Sequence, residues 1–313
     1  MKPVASVTTS SRNATSKNPE GNLGIFLCNT YAMEAFSLVV VFVFGLMVGS
    51  FLNVLSLRFG FSEATRHRSG CQACGETLAW YELLPVISYL ALRGRCRSCG
   101  SALSKQYPAV ELLVAILFTI TVWFAPLANA IDVAVLVALL AWLCVFVVLV
   151  VYDLRHTLVP IPFALSLIGG GALLRVLEAL MVTSVAPLID AALGGAALAG
   201  FIALLVWLTK GKGMGTGDIY VALALGIFFG LVRGVEVMTI AFWLGALFGV
   251  SAVTYRFLST AIAPRGASKR LRGLTMKSEV PFVPFLFVAT LVGLYIPISP
   301  LSVIEYLSQA FIS

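Results

Sequence analysis

The sequence predicts an all-α polytopic membrane protein with about eight transmembrane helices and a small cytoplasmic insertion after the first helix. Three observations carry that prediction. Of the 313 side chains, 60% are hydrophobic and 11% charged, where soluble domains average about 45–50% and 25%. The apolar residues form continuous runs instead of alternating with polar ones, which excludes a membrane β-barrel along with an ordinary soluble enzyme and a disordered chain. Four of the six cysteines fall in one polar stretch as two Cys-x2-Cys pairs.

A spanning helix needs about 20 mostly apolar residues. Runs at 34–57, 107–125, 131–152, 162–182, 187–208, 218–232, 236–255 and 281–298 supply the eight expected spans. The sixth is short and lies in a glycine-rich neighbourhood, so its helix is expected to start inside the membrane. Residues 82–92 are apolar but too few to span, and read as an interfacial or loop helix. Residues 1–33 are rich in Ser, Thr and Asn and fit no signal peptide. They read as a disordered outer tail, or else Met33 is the true start. The expected division is thus a tail at 1–33, a first helix at 34–58, an inner insertion at 59–106, a membrane core at 107–298 and a C-terminal tail at 299–313.

Orientation follows from the basic residues. With the first helix running outside to inside, the inner segments 58–106, 153–161, 209–217 and 256–280 hold 16 of the 21 Lys and Arg. Such a bias on short loops marks the cytoplasmic side. The net charge of +7 is explained by it, and nucleic acid is not an expected partner.

Cys71-x2-Cys74 and Cys96-x2-Cys99 lie in the inner insertion, where a reducing compartment disfavours disulfides. Each short turn aims two thiolates at one point, which suits tetrahedral zinc. Gly75 and Gly100 follow each pair, where a knuckle turn often needs positive φ. A redox pair and unliganded thiols are the alternatives. Four thiolates leave no open coordination position, so the zinc is expected to be structural. Cys28 and Cys144 are expected to be inert.

The chain has four aspartates. Asp132 and Asp190 fall at outer helix ends, where capping is expected. Asp153 closes the third span and Asp218 opens the sixth, so two carboxylates from different helices share one membrane depth, at its inner end. Ionisable groups there are costly and functional by default. Two close carboxyls share one proton: the ionised one takes a proton from water and the other donates to a carbonyl, which hydrolyses a peptide without a covalent intermediate. The glycines of Gly213-Met-Gly215-Thr-Gly217 let backbone bend and an extended peptide approach. On these residues alone, an Asp153–Arg155 ion pair and an Asp218 N-cap stay open as alternatives. The glycines fit neither GxGxxG spacing nor a P-loop.

Taken together the motifs resemble the type IV prepilin peptidases, aspartic membrane proteases of the GxGD type. The resemblance runs from about residue 45 to 286. It is carried by Gly45-Leu-Met-Val-Gly49-Ser50-Phe51-Leu52-Asn53-Val54 with Arg58, by the two cysteine pairs with Pro85 and Gly94-Arg95-Cys96-Arg97, and by Tyr107-Pro108-Ala-Val-Glu111. Asp153 with Pro160, Gly215-Thr-Gly217-Asp218 and Val280-Pro281-Phe282-Val283-Pro284-Phe285 complete it. Two positions depart from the family pattern. Tyr220 stands where Lys is frequent, and Ile161 where Asp or Asn is frequent; both bear on substrate range and pH optimum.

The resemblance implies a bifunctional leader peptidase and N-methyltransferase of the bacterial inner membrane. Asp153 and Asp218 would be its catalytic pair, Gly215 and Gly217 its active-site loop, and Cys71, Cys74, Cys96 and Cys99 its zinc ligands. It implies cleavage of type IV prepilins and pseudopilins after a leader glycine at the cytoplasmic face, in support of pilus assembly or type II secretion. It also implies methylation of the new N-terminus with S-adenosylmethionine as donor. No Rossmann glycine loop is present, so the methyl-donor site is unassigned; the inner loop with Glu76, Glu82 and Glu111 is the region to search. Expected partners are these substrates, membrane lipid and, as a candidate homodimer, a second copy of the chain. The rival readings are a GxGD protease for other membrane peptides, a non-enzymatic assembly protein with a zinc loop, and a proton-coupled transporter.

Overall fold

The computed structural model describes residues 23–59, 70–71, 73–125, 127–211, 214–262 and 281–296, with backbone alone along 23–35 and 256–262. The tails at 1–22 and 297–313 and the inner connection 263–280 lie outside the described residues. The chain divides into two units, Met1–Val40 and Val41–Ser313. The first is described as helix from Leu23, and all contacts below belong to the second.

The described regular elements are helical: α1 (Leu23–Arg58), α2 (Ile87–Ala91), α3 (Gln106–Phe124), α4 (Ala130–His156), α5 (Ile161–Val182), α6 (Ala186–Leu208), α7 (Gly217–Ile262) and α8 (Val283–Tyr295). Six are long and apolar enough to cross a membrane: α1 from Phe36, α3, α4, α5, α6 and α7. α1 starts at Leu23, inside the stretch expected to be a disordered tail, because Leu23-Gly-Ile-Phe-Leu-Cys28 continues the apolar run toward the N-terminus. The short apolar stretch of the insertion forms a 3₁₀ turn (Trp80–Leu83) and the single-turn α2, as expected for a loop helix.

The sixth and seventh expected spans form one helical run, α7, broken at Gly230. Its φ of 76° and ψ of −171° lie in a region essentially reserved for glycine. The chain doubles back there. A Cβ on Gly234 would sit 3.6 Å from the Gly226 Cα, whereas eight residues of unbroken helix span about 12 Å. The two arms are therefore antiparallel neighbours and the run makes two passes. The first arm and α8 are both short. At 13 residues, α8 is about 20 Å long, less than the hydrocarbon thickness of about 30 Å.

α6 packs against both arms. Gly194 meets Gly226 and Gly230 backbone to backbone, Gly195 meets Leu223 and Ile227, and Leu198 meets Gly234. Helices in lipid gain little from hydrophobic exclusion, so contact through small residues is what holds them together. At this outer end Asp190 accepts the Leu231 N–H at 3.0 Å, just past the break. Arg175 donates to the Ile227 carbonyl at 3.0 Å and lies 3.8 Å from Asp190. Asp132 caps α4 together with Asn129. Both outer aspartates thus have the capping role expected of them.

The core is apolar and aromatic. Trp142 of α4 stacks on Phe228 of α7 at 4.3 Å and donates its indole N–H to the Leu167 carbonyl of α5 at 2.8 Å. Phe146 meets Phe287 of α8. Large apolar side chains such as Phe44, Met47, Phe51, Leu165, Leu173, Trp243 and Leu247 remain exposed on the outward helix faces, as a surface turned to lipid requires.

Gly230→Ala is expected to destabilise the protein by at least about 1–3 kcal/mol from backbone strain, because the new Cβ also collides with Asp190 and Arg175. Gly200→Ala, where nothing lies within 4 Å, is the matched control and should not destabilise. Thermal unfolding in detergent checks both; equal melting temperatures would remove the role assigned to Gly230.

Candidate functional site

One end of the bundle gathers several helix termini, among them the C-terminal ends of α1 and α4 and the N-terminal ends of α3, α5, α7 and α8. Phe59, just past α1, meets Tyr152 of α4 at 6.1 Å and Phe163 of α5 at 4.7 Å. Arg155 of α4 donates to the Gln106 side chain of α3 at 2.6 Å. The Asp153–Arg155 ion pair left open by the sequence is absent among the described residues.

Asp153 lies one turn before the end of α4 and is 4% exposed. α4 stops at Thr157, which takes left-handed φ and ψ of 50° and 35° and donates its N–H to the Asp153 carbonyl at 2.8 Å. Asp153 Oδ2 accepts the N–H of Val283, the first residue of α8, at 3.1 Å. Asp218, in the first turn of α7, is 7% exposed. Its Oδ2 accepts the Gly215 N–H at 3.1 Å, and its own N–H donates to the Gly215 carbonyl at 3.2 Å. The Gly215-Thr-Gly217-Asp218 segment is thus a small closed loop that ends on the carboxylate.

The ends of α4 and α7 that carry the two carboxyls are packed against each other. A close approach of chain segments brings this about. Val159, in the α4–α5 connection, presses on Gly217, where an added Cβ would lie 2.5 Å from the Val159 Cβ. Pro160 and Pro162 start α5 directly afterwards. Among the described residues Oδ1 of each aspartate takes no hydrogen bond from the protein. Each carboxyl is held through one oxygen. Ile161 and Tyr220, the two departures from the family pattern, are both exposed.

The cysteines form two near-identical knuckles. Cys71 N–H donates to the Glu76 carbonyl at 2.9 Å and Gly75 N–H to the Cys71 carbonyl at 2.8 Å. In the second knuckle Cys96 N–H donates to the Ser101 carbonyl at 2.8 Å and Gly100 N–H to the Cys96 carbonyl at 2.9 Å. Gly75 and Gly100 take φ of 74° and 71°, the positive values expected of them. The four Sγ atoms all lie within 4.8 Å of one another, and Cys71 and Cys99 are 3.8 Å apart. A tetrahedron with metal–sulfur bonds of about 2.3 Å has edges of about 3.8 Å. The four cysteines therefore could hold one metal ion. Ser101 Oγ, with backbone amides of Cys74 and Ala73, holds the Cys71 thiol down to about 6, and Ser101 also lowers Cys99. These two shifts favour the thiolate, the form that binds metal, while burial and the neighbouring thiols push Cys74 up to about 12.

Of the glutamates singled out in the sequence, Glu82 caps its own turn by accepting the Ala79 N–H at 2.7 Å. Glu111 of α3 is buried, accepts the Val86 N–H at 2.7 Å and faces the Ser50 hydroxyl. Sequence reasoning missed the Val283 N–H as the partner of Asp153. The signal was present: between Pro281 and Pro284 only Phe282 and Val283 have backbone donors.

Comparison with known proteins places this arrangement. The profile of the Bacterial Peptidase A24 N-terminal domain matches residues 43–125, and that of the Type IV leader peptidase family matches residues 138–250. A prepilin leader peptidase/N-methyltransferase of Aeromonas salmonicida (strain A449) is 33% identical over 292 residues, covering 82% of this chain and 89% of that protein. The similarly named protein of Myxococcus xanthus (strain DK1622) is 37% identical, covering 68% of this chain and 62% of that protein. That of Bacillus subtilis (strain 168) is 32% identical, covering 69% and 83%. No solved structure matches the chain. With both profiles aligned in order and relatives matched over most of its length, the chain belongs to the type IV leader peptidase family.

Proposed function

We propose that this multi-pass protein of the bacterial cytoplasmic membrane cleaves the leaders of type IV prepilins and pseudopilins and then methylates the new N-terminus, in service of pilus or type II secretion assembly. The observation that carries the peptidase half is the meeting of two buried carboxyls, Asp153 and Asp218, at one end of the helix bundle. Family membership and the names of the relatives support the substrate and the methyl-transfer half. We assign the peptidase to the core at 107–298 and the metal and methyl-transfer functions to the inner insertion at 59–106.

In this reading an ionised and a protonated carboxyl flank the scissile bond. The ionised one takes a proton from water as the water oxygen bonds to the carbonyl carbon, and the other gives its proton to the carbonyl oxygen. Collapse of the tetrahedral species breaks the C–N bond, and the leaving amine takes a proton from the dyad. Gly215 and Gly217 leave the loop without side chains where an extended peptide must lie. The substrate's apolar helix occupies the bilayer, and its basic leader stays in the cytoplasm. In the second reaction the amine, having lost a proton, bonds to the methyl carbon of S-adenosylmethionine as the methyl–sulfur bond breaks. A neutral thioether remains.

Cys71, Cys74, Cys96 and Cys99 would hold zinc, which when bound supplies folding energy to the insertion and no reactive position.

Asp153→Asn and Asp218→Asn are each expected to lower prepilin cleavage by about 10²–10⁴-fold, the usual contribution of a general acid or base. Mass analysis of the products checks this, with circular dichroism showing that the variants are folded; normal cleavage by either folded variant would end the dyad assignment. Elemental analysis should find one zinc per chain. Cys96→Ser or a strong chelator should make the insertion markedly more sensitive to protease. An insertion equally resistant with and without the metal would remove its structural role.

A further inference from the structure

Three contacts fasten α1 to α3 near the inner end. Gly45 lies on Ala115 and Gly49 on Glu111, both against backbone, and Asn53 Nδ2 donates to the Tyr107 carbonyl at 3.1 Å. These residues recur every four positions on both helices, so they form one antiparallel seam. The glycines bring the helices so close that Asn53 is 1% exposed and Glu111 is 6% exposed. Yet the seam's polar groups are not balanced. Among the described residues, buried Asn53 Oδ1 accepts no hydrogen bond. Among the described residues Glu111 has no Lys or Arg partner, only the Val86 N–H and Ser50. A buried acceptor without a donor and a buried carboxylate without a cation are each costly.

The surrounding backbone adds to this. Val86, whose N–H points at Glu111, takes φ of 59° and ψ of −47°. That is a classic γ-turn, a strained shape and unusual for a β-branched residue. It is closed by the Ile87 N–H donating to the Pro85 carbonyl at 2.5 Å. The inner insertion is thus pinned to the seam at the carboxylate itself. The seam lies near the proposed peptidase centre: Phe59, six residues beyond Asn53, touches Tyr152, the neighbour of Asp153.

We propose that Asn53 Oδ1 and the Glu111 carboxylate form a binding site for a primary α-ammonium group used in methyl transfer. An ammonium brings three donors and the positive charge that these two acceptors lack. Two molecules of the second reaction carry that group: the freshly cleaved substrate, at its new N-terminus, and S-adenosylmethionine, on its amino-acid end. The proposal rests on the methyl-transfer reading and extends its site from the insertion to the adjoining ends of α1 and α3.

The test uses the full chain in lipid nanodiscs. Calorimetry measures binding of S-adenosylhomocysteine and of its analogue lacking the α-amino group. Competition measures a pre-cleaved peptide with a free N-terminus against its N-acetylated form. For one of the two pairs, loss of the amine should weaken binding to wild type at least about tenfold, as for a charged hydrogen bond. The pair that responds identifies the source of the ammonium. Glu111→Gln, which preserves an acceptor for Val86, should weaken the amine-bearing probe equally and leave the amine-free probe unchanged, with prepilin cleavage at the wild-type rate. If neither amine matters to wild type, or if folded Glu111→Gln binds and methylates as wild type does, the proposal is overturned. Wild-type cleavage without any methylation would sink the methyl-transfer reading and the proposal together. If Glu111→Gln fails to fold, the wild-type comparisons still decide.

Discussion

A proline has no N–H, so Pro281-Phe282-Val283-Pro284 offers few donors to the start of α8, and that start is buried. A helix that begins away from water cannot leave its first N–H unsatisfied. Val283 gives its N–H to Asp153, the last buried residue of α4. One hydrogen bond therefore fixes where α4 ends, where α8 begins and which way a carboxyl points. Asp218 repeats the device on a smaller scale by accepting the Gly215 N–H of its own loop. Positioning consumes Oδ2 in both cases, and Oδ1 stays available. On the proposed reading, a pair of acids that acts on a water uses that division: immobile by one oxygen, reactive by the other.

The rest of the fold brings those ends together without help from water exclusion between the helices. Its means is the missing side chain. Gly194 against Gly226 and Gly230 seats α6 on both arms of α7, Gly45 and Gly49 seat α1 on α3, and Gly217 seats α7 on the α4–α5 connection. The glycine at 230 has a second task, since its backbone shape is closed to other residues. By folding α7 back on itself it keeps the first arm, which has Asp218 in its first turn, short.

Much of this was legible in the sequence. Apolar runs predicted the long helices, because lipid leaves a chain few options. The cysteine spacing and the glycines after it foretold both knuckles, whose hydrogen bonds are local and repeat residue for residue. The positions of Asp153 near the end of one helix and Asp218 at the start of another followed from counting to the ends of the apolar runs. Other features could not be read. Two spans were expected where the chain reverses, but the break at Gly230 itself was not, and the start of α1 at Leu23 lies in a short apolar patch set within a polar stretch. The bond from Val283 to Asp153 joins residues 130 positions apart, and the unbalanced seam of Asn53 and Glu111 exists only once α1 and α3 are packed. Long-range pairing of polar groups leaves no periodicity behind.

The placement of that seam has a consequence for two reactions on one substrate. On the proposed reading, cleavage leaves an amine on a helix that stays in the bilayer. That amine cannot rise or sink by more than a few residues without dragging apolar side chains into water or charge into lipid. It can reach only a second site at the depth where it was made. The Asp pair lies at the inner ends of α4 and α7, and Asn53 and Glu111 lie at the inner ends of α1 and α3, linked through Phe59 and Tyr152 and through Arg155 and Gln106. The insertion that carries the metal knuckles is pinned to the same seam by the Val86 N–H. A lateral step of the substrate helix between neighbouring helix pairs would then connect the two sites, and no release into the cytoplasm is needed.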